Sequence, residues 1–459
     1  MESNLLNEML EAVRDGESGL ESSIHRSGEG EWPSYFDVTG LAFASMSVAG
    51  LEVARLSRAE NGVAPAVRID QRLASLWFSW SLQPEGWEMP SAWDDLAGVY
   101  EAKDGWIRLH TNVPAHRAAA LSVLDGAVDR ASVEAKVSKW AAVELESAVV
   151  EAGGCAAAMR SLEEWQAHPQ GRAVAGTPLV VWETHGSCAH EESAPEMRRP
   201  LSGVRILDLT RILAGPVASR FLAGYGADVL RIDPAEWDEP GVIPEVTLGK
   251  RCAGLDLRDA ADRATFEHLV GSADVLLHGY RADAMAGLGY DEATLRMLNP
   301  KLIDVSLNAY GWAGEWKNRR GFDSLVQMSA GIADFGMKQS GSKQPRPLPV
   351  QALDHATGYL LAASVLSGLA QRRRGKVRSA KLSLARVAHL LCTTKDGVEG
   401  PEFAALNAED LDPHVEETDW GPGKRVRWPL QIEGVNFGWA HPAKRLRTAQ
   451  PQWLGQVLG

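Results

Sequence analysis

The chain has 459 residues, 45% of them hydrophobic and 23% charged, with a formal net charge of −13. That length accommodates two or three domains around a sizeable core. The negative balance argues against nucleic acid or a membrane surface as a non-specific partner, while a local basic pocket could still hold an anion.

Residues 1–30 read as a short acidic amphipathic helix and a Gly/Ser/Glu-rich connector, without the apolar stretch of a signal peptide. A buried helix is predicted over 41–56, where apolar residues leave almost no polar face. A short strand follows at 66–69 and a helix at 71–80. Residues 98–112 read as a β-hairpin turning at Asp104-Gly105. Helices over 114–124 and 132–151 then complete a small α+β domain spanning 99–185. The polar, aperiodic stretch 186–200 reads as a linker. Beyond it, strands over 204–209, 227–232, 275–278 and 302–307 alternate with helices over 215–225, 263–272 and 290–298. That alternation predicts an α/β fold with a parallel, doubly wound sheet. The Pro-, Gly- and Trp-rich end, 392–459, reads as an extended tail wrapping another part of the fold. The 16 tryptophans form no stripe and read as packing. Cys155, Cys188, Cys252 and Cys392 have no metal-ligand spacing, so no metal site is expected, and their sparse use fits a reducing cytoplasm.

One segment occurs twice. Residues 353–372, LDHATGYLLAASVLSGLAQR, are matched by 36–56, FDVTGLAFASMSVAGLEVARL. Thr39, Gly40, Ala44, Gly50 and Leu51 align with Thr357, Gly358, Ala362, Gly368 and Leu369 at constant offset. Phe36 then stands opposite Asp354, and the acid of the first copy, Asp37, comes one residue late. The pattern suggests a duplicated enzyme in which one copy has lost its acid.

Asp354 opens an apolar helix. One reading is an N-cap, whose carboxylate accepts backbone N–H groups and stays ionised. The other is a nucleophilic carboxylate for acyl transfer. His355 beside it points elsewhere and reads as packing. The turn 208–216, DLTRILAGP, lacks the glycine pattern of a dinucleotide site but aims a helix N-terminus above the strand ends. Lys250, Arg251 and Arg281 are expected in strand-end loops of the same sheet, where open α/β sheets bind ligands.

The stretches LSGVRILDLTRILAGP (201–216), GADVLRIDP (226–234), GKRCAGLDL (249–257), LGYDEATLRMLNPKL (288–302) and GFDSL (321–325), with the Asp354 segment, resemble the class III CoA-transferases. This is the family of formyl-CoA transferase, carnitine CoA-transferase and α-methylacyl-CoA racemase. The resemblance implies a Rossmann-like CoA-binding domain over 201–391 plus a small domain, in subunits that interlock as a homodimer. It implies that CoA moves from an acyl-CoA to a carboxylic acid, with no permanently bound cofactor. Asp354 falls at the catalytic aspartate. Arg211, Ala214, Gly215, Pro216, Lys250, Arg251 and Arg281 are implied to hold coenzyme A, with Arg320 and Asp323 beside the site. N–H groups at the start of the Asp354 helix would stabilise the oxyanions.

The order of parts departs from the family. The Asp354 helix leads almost directly into a tail-like segment, RWPLQIEG (427–434) with PAKR (442–445). Small-domain motifs lie upstream instead, in YEAKDGWIRL (100–109) and SLEEWQAHPQG (161–171). The chain thus reads as two truncated units in tandem, with 31–98 a degenerate partial repeat. Leu213 replaces a polar residue, Pro234 a basic one, and an Arg expected near Gly287 is missing. Phe322 stands where racemases need a His. An isomerase, racemase or lyase on this scaffold, or a degenerate CoA-binding subunit, are the alternatives.

Overall fold

The computed structural model describes residues 4–16, 23–57, 65–189, 198–281, 283–394 and 401–455. Its centre is a seven-stranded sheet. The strands are β1 Val181–Ser187, β2 Arg205–Leu209, β3 Asp228–Asp233, β4 Arg251–Gly254, β5 Val275–His278, β6 Ile303–Asn308 and β7 Lys376–Ser383. Their spatial order is β4-β3-β2-β5-β6-β7-β1. All pairings are parallel except β7 with β1. The order reverses between β2 and β5, which opens a crevice beyond their carboxyl ends.

β1 departs from the sequence reading, which gave 181–185 to the small domain and 186–187 to a linker. The segment instead covers the β7 edge of the large sheet. Its residues are only half-buried, as suits an edge strand. Residues 190–197 of the expected linker lie outside the described residues.

Four helices matter for the site: α1 Val38–Leu56, α2 Ala214–Gly224, α3 Asp323–Ser329 and α4 Ala352–Arg373. α4 is the crossover from β6 to β7 and is buried along nearly its whole length. Neither α1 nor α4 has a polar face, so each needs apolar cover on every side. Burying one Leu or Val is worth roughly 1.5–3 kcal/mol. They obtain that cover from each other, with α2 on another flank of α4. The two copies of the repeat are therefore neighbours. Gly358 makes the α2 contact possible: a Cβ there would lie 2.5 Å from the Ala214 carbonyl oxygen.

The hairpin strands Gly98–Ala102 and Gly105–Leu109 join Ala156–Ala158 in a small antiparallel sheet. It has its own core around Tyr100, Ile107 and Leu145. The helix expected over 132–151 is two helices, Arg130–Val137 and Ala142–Glu151. Asp104 in the hairpin turn accepts the Ala142 N–H at 2.8 Å and so fixes the second start.

The tail is more ordered than its composition suggests. Leu411–Thr418 and Gly421–Val426 form a hairpin that extends onto Leu82–Pro84. Leu430–Ile432 pairs with Val67–Asp70. Buried Arg425 seals this junction, donating to Glu245 at 2.9 Å and to Ser81 at 3.1 Å. The helix Leu384–Thr393 runs across the boundary placed at 391.

Candidate active site

The turn after β2 is built from inside. Asp208, fully buried, accepts from the Thr210 N–H at 2.8 Å, from the Thr210 and Ser219 hydroxyls, and from Lys250 Nζ at 3.2 Å. Lys250 also donates to the Pro216 carbonyl at 3.0 Å. It is fully buried, and that burial lowers its pKa to about 8. Lys250 therefore ties the turn to α2 and does not face a ligand, contrary to the reading from sequence. Arg251 departs likewise. It opens β4, at the amino end of the parallel sheet and away from the crevice. Its guanidinium is committed to Asp228 at 2.8 Å and the Gln452 carbonyl at 2.6 Å.

Ala214, Gly215 and Pro216 are buried in the first turn of α2. A Cβ on Gly215 would meet Thr210 Cβ at 2.2 Å, so glycine is what lets this turn close. Just before it, Ile212 has φ +64°, a strained conformation for a β-branched residue. Glu239 holds it by accepting the Ile212 N–H at 2.8 Å.

Beyond the carboxyl ends of β2, β3 and β5 lies a hollow of about 170 Å³, lined by Arg211, Pro234, Arg258 and Tyr280 among others. The Arg211 guanidinium lies 4.4 Å from the Trp237 ring centre and 5.6 Å from that of Tyr280. Arg281 is half-exposed, near Asp283 at 3.8 Å and the Asn318 carbonyl at 3.4 Å. Of the implied CoA-binding cations, Arg211 lines this hollow. Arg258, in the loop after β4, also lines it, with its guanidinium bonded to Asp256 at 2.8 Å and Glu236 at 2.6 Å.

A larger cavity, about 500 Å³, contains Asp354. Its walls come from three stretches: 78–113, 212–242 and 322–355. Asp354 is not the cap of α4. The cap position is Gln351, and Asp354 is the third helical residue. Asp323, fully buried at the start of α3, does the capping by accepting the backbone N–H of Asp354 at 2.9 Å and that of Leu353. Asp323 thus supports the Asp354 helix from beneath and is itself pushed up to about 6 by burial. The Ala352 N–H goes to Val350 and the His355 N–H to Gln351. All the N–H groups of the first turn are then engaged, so the oxyanion donors expected there are not free.

Released from capping, the Asp354 carboxyl group has no hydrogen bond or ion pair among the described residues. It is 8% exposed, into the cavity. Burial and the neighbouring Asp323 charge push its pKa well above the usual carboxylate range. The depressed pKa expected from an N-cap is therefore reversed, because burial and the Asp323 charge both disfavour the ionised form.

Aromatic rings form much of the remaining wall. His355 stacks on Phe78 at 5.1 Å. His110, from the end of the small-domain hairpin, stacks on Phe322 at 3.7 Å with 15° between the planes. His110 is 4% exposed, and neither ring nitrogen has a hydrogen-bond partner in the protein. Burial, with Arg108 and His116 nearby, lowers its pKa to about 3. Arg320 is exposed, its charge acting on His116. Phe78, Trp80, Trp93 and His110 were not singled out from sequence: no motif marks them, and only the fold brings them to Asp354. Glu183 and His185 on β1 and Glu292 on the helix Glu292–Leu298 have metal-like proximity, but Lys381 holds Glu183 at 2.7 Å and Ser379 holds His185 at 2.6 Å.

Among the described residues no helix is long and apolar enough to cross a membrane. Residues 201–399 match the family model for CoA-transferase family III. The chain is 30% identical over 302 residues to an acyl-CoA transferase of Gibberella moniliformis, covering 60% of this chain and 52% of that protein. It is 32% identical to a succinate–glutarate CoA-transferase of Agrobacterium fabrum, covering 39% and 49%. A CaiB/BaiF family protein of Brucella suis, solved as a crystal structure, shares 25% identity over 49% of this chain and 65% of that one, with a TM-score of 0.38. The chain spans about half the length of these curated relatives.

Proposed function

We propose, from the match of residues 201–399 to CoA-transferase family III, that this chain moves CoA from an acyl-CoA to a carboxylic acid, with Asp354 as nucleophile. The observation that carries the reading is the Asp354 carboxyl group: buried, unengaged, and facing a cavity of about 500 Å³ inside the matched segment. Once ionised, Asp354 attacks the donor thioester carbonyl and CoA thiolate leaves, giving an acyl-aspartyl anhydride. The thiolate attacks the aspartyl carbonyl, releasing the donor acid and leaving an aspartyl thioester. The acceptor carboxylate attacks that thioester, and the thiolate then takes the acceptor acyl group and frees Asp354. Each exchange splits one difficult step into easier ones.

With the first turn of α4 engaged, the reading assigns oxyanion stabilisation to the Gln351 side-chain amide. That amide caps no backbone group, and Gln351 lines the cavity. Arg211 and Arg258, beside the crevice, would hold the nucleotide end of CoA. Residues 78–113 and 212–355 both line the cavity, which supports two truncated units complementing each other in one chain. Homodimerisation, which the resemblance implies, would add a neighbour to a cavity already walled by one chain. Four free cysteines fit the proposed cytoplasmic setting. A degenerate CoA-binding subunit is the second reading, favoured by the commitment of Lys250 and Arg251 to internal partners.

The test is to incubate the full chain with acyl-CoA donors and quench with hydroxylamine, followed by peptide mass spectrometry. A hydroxamate or CoA adduct at Asp354 is expected. Turnover without any adduct overturns the covalent route, and CoA binding without turnover favours the second reading.

A further inference from the structure

His110 lines the cavity buried, with both ring nitrogens lacking a partner in the protein. A buried polar group left unpaired is costly, on the scale of a lost hydrogen bond or more. Its orientation is fixed by the face-to-face contact with Phe322. Phe322 is the residue before Asp323, which in turn holds the Asp354 N–H. The imidazole is thus set against the segment that supports Asp354, on the wall of the same cavity.

The lining also says what such a ring could read. Among the described residues lining the cavity, none is lysine or arginine. Of the four acids there, Asp94 and Glu239 are paired with Arg117 and Arg231, while Asp238 and Asp354 add only negative charge when ionised. A second carboxylate on the acyl group would be buried without a cation, which is strongly unfavourable. A neutral imidazole offers one donor and one acceptor, the complement of a hydroxyl or an amide.

We propose that His110 determines acyl specificity, recognising a neutral hydroxyl or amide substituent on a monocarboxylic acyl group. This rests on the CoA-transferase reading of the cavity. The residue comes from the N-terminal half of the chain, so the two halves divide the work: one carries the nucleophile, the other reads the substrate.

The test is calorimetric binding of butyryl-CoA, 3-hydroxybutyryl-CoA and succinyl-CoA to the full chain and to His110→Phe and His110→Gln. The hydroxylated thioester should bind the parent about tenfold more tightly than butyryl-CoA, with succinyl-CoA weakest. His110→Phe should bring the ratio of 3-hydroxybutyryl-CoA to butyryl-CoA affinity down to about one, and His110→Gln should restore part of the preference. Thermal melts add a second readout. With no protein partner to lose, His110→Phe should melt no lower than the parent, whereas a purely structural histidine would lower it. A preference unchanged in His110→Phe, or a parent that prefers succinyl-CoA, overturns the proposal alone. Failure of every thioester to bind overturns the CoA reading as well.

Discussion

The Asp354 backbone N–H donates to the Asp323 carboxylate at 2.9 Å, so one acid caps the helix on which the other is displayed. The arrangement separates two jobs that a single helix-initiating aspartate would combine. Asp323 satisfies the backbone, and Asp354 keeps its carboxyl group free. The proximity has an electrostatic cost, because each negative charge opposes the other.

Asp354→Asn should abolish CoA transfer, by at least about a thousandfold, while CoA binding persists. It should also stabilise the free protein near neutral pH. The folded-state pKa of Asp354 is raised, so the folded chain binds more protons than the unfolded one above about pH 4. Stability of the parent therefore falls as pH climbs from there toward the folded pKa, and the variant lacks that loss. The melting-temperature gap, variant minus parent, should widen from pH 4 to pH 8. A gap constant with pH would contradict the raised pKa.

Asp323→Asn removes the charge but leaves an oxygen to accept an N–H. Asp354 then ionises more easily, and the acidic limb of the kcat/KM profile should move to lower pH. At pH 4, where the raised pKa of Asp323 carries little penalty, stability should drop by about 1 kcal/mol as the cap weakens, measured by urea denaturation.

Gln351→Ala tests the oxyanion assignment. Losing one such donor should reduce kcat about a hundredfold with little change in KM. A change confined to KM would make Gln351 a binding residue instead.

Residues 200–459 expressed alone should be insoluble or inactive. The fragment lacks α1, which covers α4, and the whole 78–113 wall of the cavity. Soluble, fully active fragment in an acyl-CoA exchange assay would contradict the complementation of the two halves.

Much of this architecture was legible in the chain. Alternating strands and helices from 204 to 307 gave four of the seven strands of the sheet, because central parallel strands are continuous apolar runs. The repeat singled out α1 and α4, whose lack of a polar face already required deep burial. What could not be read was long-range. Lys250 looked like a strand-end cation, yet whether a lysine faces outward or reaches back to Asp208 depends on the turn above it. Asp354 looked like a cap because the true cap, Asp323, is supplied from another helix. His110 carried no motif, and only the docking of the small domain places it on Phe322. The strands Gly421–Val426 and Leu430–Ile432 were hidden in Pro- and Gly-rich sequence because each pairs with a strand more than 300 residues earlier.

Those late strands bear on how the protein would behave in a dilute cell extract. Val67–Asp70, near the beginning, is hydrogen-bonded to Leu430–Ile432, near the end, so the chain closes on itself around the cavity. Halves joined in this way meet at an effective concentration set by their tether and not by how many molecules are present. The cavity would then persist at any protein concentration. The joining of these two strands is a unimolecular event within one chain.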